Sequence, residues 1–318
     1  MQDDSLLPFS PSRPPVLRPS ALDTRFTRAL PDRCLRGELV RVHTGGYVAA
    51  TDLTGLDRRQ GHVLRVHAAL PRLSPRVVVS HGSAAAIHRL PSLGPPPDRV
   101  HVTDPARTTS QAWNGVAKHA GPLPNEDVVM VEGVRVTSMA RTAADLALAL
   151  PMPDAVVVLD YVLHCELADR ETIGVQLEAR PRARARAAAA ASLDFADGDA
   201  QSPGESWARV LAHRLGAPKP VLQRPFADAD GVIGDVDFWF EEQGIVVEFD
   251  GFVKYSQARY LNGRTPADVV FAEKLREDRL RACPDVNGFG RCVWRDLEQP
   301  RRLASIFRRA GVPLLRPP

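Results

Sequence analysis

The sequence predicts a protein of mixed α+β class built from two domains, and three observations lead there. The chain is 318 residues long, about twice the usual size of one compact unit. Apolar residues recur with helical period in several segments and with strand period in others. Residues 180–201, RPRARARAAAAASLDFADGDAQ, have the composition of a helical or flexible connector, which divides the chain into a region 21–179 and a region 202–318 behind a Pro-rich head, 1–20, expected to be disordered.

In the first region Leu22–Arg36 suits one or two short helices, interrupted at Pro31. Gly37 to Ala50 shows two β-rich runs around Thr44-Gly45-Gly46, a hairpin or "wing". Asp57 opens a helix through Leu70 with an apolar stripe at Val63, Leu64, Val66 and Leu70. Strands are expected at Val77–Val79, Arg99–Val102 and Val128–Val136, then a helix from Ala140 to Leu150. His81 and His88 stand two helical turns apart, without a nearby cysteine or carboxylate to complete a metal site.

In the second region Ser202-Pro203-Gly204-Glu205 reads as a helix start, Ser202 and Glu205 forming a capping box and Pro203 the first helical residue. Two segments, DVDFWF (235–240) and IVVEFD (245–250), flank the turn EEQG and should pair as a hairpin. With a symmetric turn, Val236 faces Phe249, Phe238 faces Val247 and Phe240 faces Ile245 on an apolar side. The other side pairs Asp235 with Asp250, Asp237 with Glu248 and Trp239 with Val246. Directly opposed like charges destabilise a sheet, so a shared proton or a hard divalent cation is expected among the four acids; a water-exposed acidic face is the structural alternative. Lys254 follows on the strand end and could assist an attacking water or stabilise charge on a phosphate, or be a solvated lysine. Glu205 could reach the same ion as well as cap its helix. A helix from Thr265-Pro266 to Arg281 carries the i,i+4 pairs Lys274–Asp278 and Glu277–Arg281, and Lys274 and Arg276 could follow a phosphate backbone. A strand at Gly290–Trp294 and a helix Pro300–Ala310, ended by Gly311, close the chain.

Bulk properties set limits. Hydrophobic residues make up 44% and charged residues 25%, and no apolar run approaches the length of a membrane-spanning helix, so a protein without a membrane partner is expected. The head lacks the basic start and apolar stretch of a secretory signal, which points to the cytoplasm. Four scattered cysteines form no CxxC pair and are expected to be reduced. Net charge is +3, which permits nucleic-acid binding without requiring it, and only four of 41 basic residues are lysines.

The ordered strings GELVRVHTGGYV, VSHGSAAAIHRL, VHVTDPA and VEGVRVTSMARTAADLA resemble, over residues 22–165, the AbiEi-type antitoxin or transcriptional-regulator proteins. That resemblance implies an N-terminal winged-helix DNA-binding element, in which Arg36 and Arg41 could contact phosphates; both arginines equally suit a solvated hairpin. The strings SPGESWARVL, GDVDFWF, VVEFDGFVKY, EKLREDRL and CVWRDL resemble, over residues 202–298, the very-short-patch-repair-like branch of the PD-(D/E)XK endonucleases. What this implies is a restriction-endonuclease-like α-β-α core with a central mixed sheet, in which Asp237 and Glu248 hold Mg²⁺ or Mn²⁺, Asp250 is a further ligand and Glu205 is the acid of the first helix. The sequence departs from that pattern in having Asp250 where acid-x-Lys places lysine, with Lys254 nearest as substitute. The function expected is metal-dependent cleavage of nucleic acid, chiefly DNA, with a recruiting N-terminal domain. The alternative is a DNA-binding regulator of antitoxin type without catalysis. A homo-oligomer or a toxin partner is compatible with either.

Overall fold

The structure is a computed structural model that describes residues 14–19, 23–180, 183–251 and 266–316. Lys254 and Thr265 lie outside the described residues. The chain is of mixed α+β class and divides into two compact units, residues 1–150 with 166–191 and residues 151–165 with 192–318. This differs from the expected division at 180–201, because the helix Met152–His164 belongs to the second unit.

The first unit begins with α1 (Thr24–Leu35), a single helix that runs through Pro31 and is capped by the Asp23 carboxylate. One helix, not a helix-turn-helix pair, thus precedes the wing among the described residues. The wing forms as expected, β1 (Leu39–His43) pairing antiparallel with β2 (Gly46–Ala49) around Gly45 at φ 71°. Part of the Pro-rich head is ordered, contrary to expectation: Leu17 bridges Tyr47, and the Arg18 guanidinium donates to the carbonyls of His67 and Ala68. Backbone groups of the hairpin edge and the end of the next helix supply those partners.

Asp57 caps α2 (Arg58–Ala69) in a full capping box with Gln60. A six-stranded mixed sheet follows in the order β5-β6-β4-β3-β8-β7, formed by β3 (Val78–Val79), β4 (Val100–Asp104), β5 (Gln111–Trp113), β6 (Val116–Ala120), β7 (Val128–Val131) and β8 (Val134–Thr137). Val66 of α2 and Ala84 and Ile87 of α3 (His81–His88) pack with the sheet valines Val79, Val100, Val102, Val116 and Val136. Then come α4 (Met139–Ala149) and α6 (Arg170–Glu178), which pack on each other. Between them in sequence lies α5 (Met152–His164), and after them α7 (Ala183–Phe195), into which the alanine run of the expected connector folds.

In the second unit α5 packs on α8 (Pro203–Arg214). Its four-stranded mixed sheet has the order β12-β11-β10-β9, from β9 (Val221–Asp228), β10 (Gly231–Phe240), β11 (Ile245–Asp250) and β12 (Gly288–Val293), with β11 and β12 parallel and the other pairs antiparallel. Both faces carry apolar cover. Phe238, Phe240, Ile245 and Val247 pack with Ala208 and Leu211 of α8 and with Leu303 and Phe307 of α11 (Pro300–Ala310), which follows the short α10 (Trp294–Leu297). Trp239 and Val246 pack on the opposite face with Leu280 of α9 (Pro266–Ala282). Cover on both faces explains why β11 is buried almost throughout, Glu248 included.

Candidate functional site

The hairpin register matches the symmetric pairing for three rungs, Phe240↔Ile245, Trp239↔Val246 and Phe238↔Val247, and the ladder ends there. At the next position the Asp237 carboxylate accepts a 2.7 Å hydrogen bond from the Phe249 N–H in place of backbone pairing. Along its other edge β11 pairs with β12 over its whole length, which sets Glu248 beside Arg291 and Asp250 beside Val293. The expected rungs Val236–Phe249, Asp237–Glu248 and Asp235–Asp250 therefore do not form. Opposed carboxylates would repel at rung distance, and the strands part where the first such rung would fall. Val236 consequently packs with Phe226, Ile233 and Trp239, on the side opposite Phe238, and does not join the apolar face assigned to it from the sequence.

The parting opens a cleft of about 330 Å³ lined by Asp235, Asp237, Glu248, Asp250, Glu273, Gln223, Arg276 and Arg291, among others. Five carboxylates face two guanidiniums there, an excess of negative charge that suits a cation. Three of the expected site residues, Asp237, Glu248 and Asp250, are brought together. Glu205 stands one residue behind: its Oε2 accepts from Gln223 Nε2 at 3.1 Å, and the same amide lies 3.4 Å from Asp237 Oδ1. It also serves its own helix start, accepting from Gln201 N and Ser202 Oγ while Ser202 Oγ accepts the Glu205 N–H. The cap and the link to Asp237 thus coexist.

Glu248 is nearly buried, and its oxygens meet both guanidiniums, Arg276 Nη1 at 2.7 Å and Arg291 Nη2 at 3.4 Å. Burial raises its pKa above the ordinary value; the Arg276 charge opposes that, and the nearby Asp237 charge adds to it. Arg276, expected to face a phosphate backbone, is turned into the cleft and also donates to the Asp235 carbonyl. Lys274 is exposed on α9, where the expected Glu277–Arg281 pair forms at 2.8 Å. In the first unit Arg36 is paired with Glu38 and Arg41 is exposed on β1.

As a cation site the donor set fits in kind. Mg²⁺ usually takes one or two carboxylates and completes its shell with water and substrate phosphate, which Asp237 and Glu248 could satisfy. Asp250 does not extend them into a three-ligand set, for among the described residues no three His, Cys, Asp or Glu side chains stand close enough to hold a metal. Sequence reading missed Gln223, Glu273 and Arg291. A positive φ at Gln223 marks it only in three dimensions, and Arg291 enters through a parallel pairing that spacing does not reveal.

No protein-family model matches the chain. Two curated Mycobacterium tuberculosis proteins, uncharacterized protein MT2308 (strain CDC 1551 / Oshkosh) and uncharacterized protein Rv2248 (strain ATCC 25618 / H37Rv), are each 30% identical over 216 residues, 67% of this chain and 74% of theirs. The chain belongs to their family. Among solved structures, that of the RV2827C protein from Mycobacterium tuberculosis covers 68% of this chain and 84% of its own at 18% identity, with a TM-score of 0.38. Among the described residues of this Rv2248-family protein no helix is long and apolar enough to cross a membrane.

Proposed function

We propose that the second unit hydrolyses phosphodiester bonds of nucleic acid, chiefly DNA, using Mg²⁺ or Mn²⁺ held by Asp237 and Glu248. The observation that carries this reading is the convergence of these two acids, from separate strands, on one open acid-rich cleft. A divalent ion bound there supplies Lewis acidity and a more acidic water. The protein's own part is positioning. The Phe249 N–H and Gln223 orient Asp237, and Glu205 anchors Gln223. Arg276 and Arg291 neutralise Glu248 and offer cationic partners to a phosphate that enters. Lys254 is assigned the role of assisting the attacking water, and Asp250 an auxiliary acidic role. The first unit would recruit DNA, in keeping with its resemblance to AbiEi-type regulators.

Purified protein should nick plasmid with Mg²⁺ and lose that activity in EDTA and in Asp237→Ala, with the circular-dichroism spectrum retained. Nicking that survives either change overturns the reading. One observation favours a second reading, a regulator without catalysis: Arg276 and Arg291 already satisfy both Glu248 oxygens, as a self-neutralised site would. That reading expects specific DNA binding, no cleavage with any divalent ion, and tolerance of Glu248→Gln.

A further inference from the structure

A second cleft, wholly within the first unit, has a different chemistry. It measures about 230 Å³ and lies between the wing turn at His43 and Thr44 and the hairpin of β5 and β6. The Asn114-Gly115 turn, at φ 48° and 75°, makes that hairpin short and stiff. Its register sets Gln111 opposite Lys118 and Trp113 opposite Val116, so these four share one face. Val116 is buried and anchors the hairpin, while Trp113 is 72% exposed. The chain's other tryptophans are not presented in this way: Trp239 is buried, and Trp207 and Trp294 pack against the core.

Cations share the cleft with this indole. Arg72 and Lys118 line the cleft, and among the described residues neither side chain has an ion-pair or hydrogen-bond partner. Arg107 stands just behind, donating to Gln111 Oε1 at 2.8 Å. No carboxylate is among the lining residues described. The volume falls below the roughly 300–1,000 Å³ of pockets that enclose a drug-sized ligand, so it suits one unit of a polymer that continues over the surface. An exposed indole flanked by free cations and by the amides of Gln111 and Asn114 has the makeup of a stacking platform for an unpaired base.

We infer that this cleft binds one nucleotide of a single-stranded nucleic acid, the base stacked on Trp113 and the adjoining phosphates held by Arg72 and Lys118. The site is separate from the acidic cleft and from Arg36, and it stands whether or not the second unit cleaves. Binding is therefore tested in EDTA, with full-length protein and a fluorescein-labelled oligothymidylate followed by anisotropy. Trp113→Ala should weaken binding about tenfold, and Trp113→Phe, which keeps a ring to stack on, should stay within about threefold of the parent. Lys118→Gln should lower the slope of log K against log salt by about 0.7. Saturation should quench intrinsic tryptophan emission in the parent but not in Trp113→Ala. An unchanged thermal unfolding curve for Trp113→Ala would separate lost contact from lost fold. The inference is overturned by equal affinity for an oligonucleotide duplex, by unaltered binding in Trp113→Ala, or by loss in Arg41→Gln alone.

Discussion

At the scale of single residues, the second unit depends on a buried ion pair between α5 and α8. Arg209 of α8 donates to both oxygens of Asp160 on α5 at 2.9 and 2.8 Å, and Asp160 also accepts the Asp197 N–H. Asp160 is wholly buried, which pushes its carboxyl pKa up against the opposing pull of Arg209. Removing one partner strands the other charge, so Arg209→Met should cost about 3–5 kcal/mol in denaturant unfolding. The double variant Asp160→Leu with Arg209→Met should cost less than the single one, because no charge is left alone. Gly204 is equally exacting for a steric reason. A Cβ there would lie 2.0 Å from the Phe249 ring, although helix propensity alone favours alanine by about 1 kcal/mol. Overlap should prevail, and Gly204→Ala should destabilise by about 1–3 kcal/mol.

At the scale of elements, the turn Glu241–Gly244 is the origin of the site, since the register of β10 and β11 is counted from it. Gly244 holds φ 67°, and a Cβ would meet Asn287 Nδ2 at 2.4 Å and the Asp285 carbonyl at 2.5 Å. Its carbonyl accepts the Asn287 N–H at 2.7 Å, which ties the turn to the lead-in of β12. Gly244→Ala should therefore cost about 2 kcal/mol or more, and should raise amide exchange in β11 and β12 together. Two-fold periodicity and the turn made three rungs of this hairpin legible from sequence. Where the pairing stops was not legible, because it depends on repulsion between acids and on the Asp237 carboxylate taking the Phe249 N–H, which neither alternation nor turn length encodes. The hairpin of β5 and β6 was missed although Asn114-Gly115 is a strong turn signal, because its strands are short and half-polar. Caps were read well where they are local, as at Asp57, Ser202 and Gly311. The cleft's acids were found by alternation, whereas Arg276 and Arg291 reach it through tertiary packing that no local rule encodes.

At the scale of the whole molecule, the two units differ in how protons act on them. The first buries neutral histidines. Burial lowers the His62 pKa to about 4 and that of His81 to about 3, with His101, Arg141 and Arg180 adding repulsion at His81. His81 also stacks on His119 at 3.6 Å between ring centroids and faces the buried Asp145. Unfolded histidine takes up its proton near pH 6.5, so stability is full above that value and is lost as pH falls toward the folded one. For His62 alone the loss approaches about 3 kcal/mol by pH 4. In the second unit the displaced carboxyls of Asp154 and Asp160 lie above their ordinary value because of burial. Such groups hold their proton more firmly folded than unfolded, so acidification adds stability there and a rise in pH removes it. In the first unit Asp145 opposes the histidines in the same sense, but it is one carboxyl against the lowered pKa values of His43, His62, His81, His88 and His101. Between pH 7 and 5 the first unit should therefore weaken while the second does not. Hydrogen exchange, corrected for its intrinsic pH dependence, should show protection falling across residues 58–149 and holding across 203–249. A parallel fall in both segments would mean that the buried histidines do not govern the acid response.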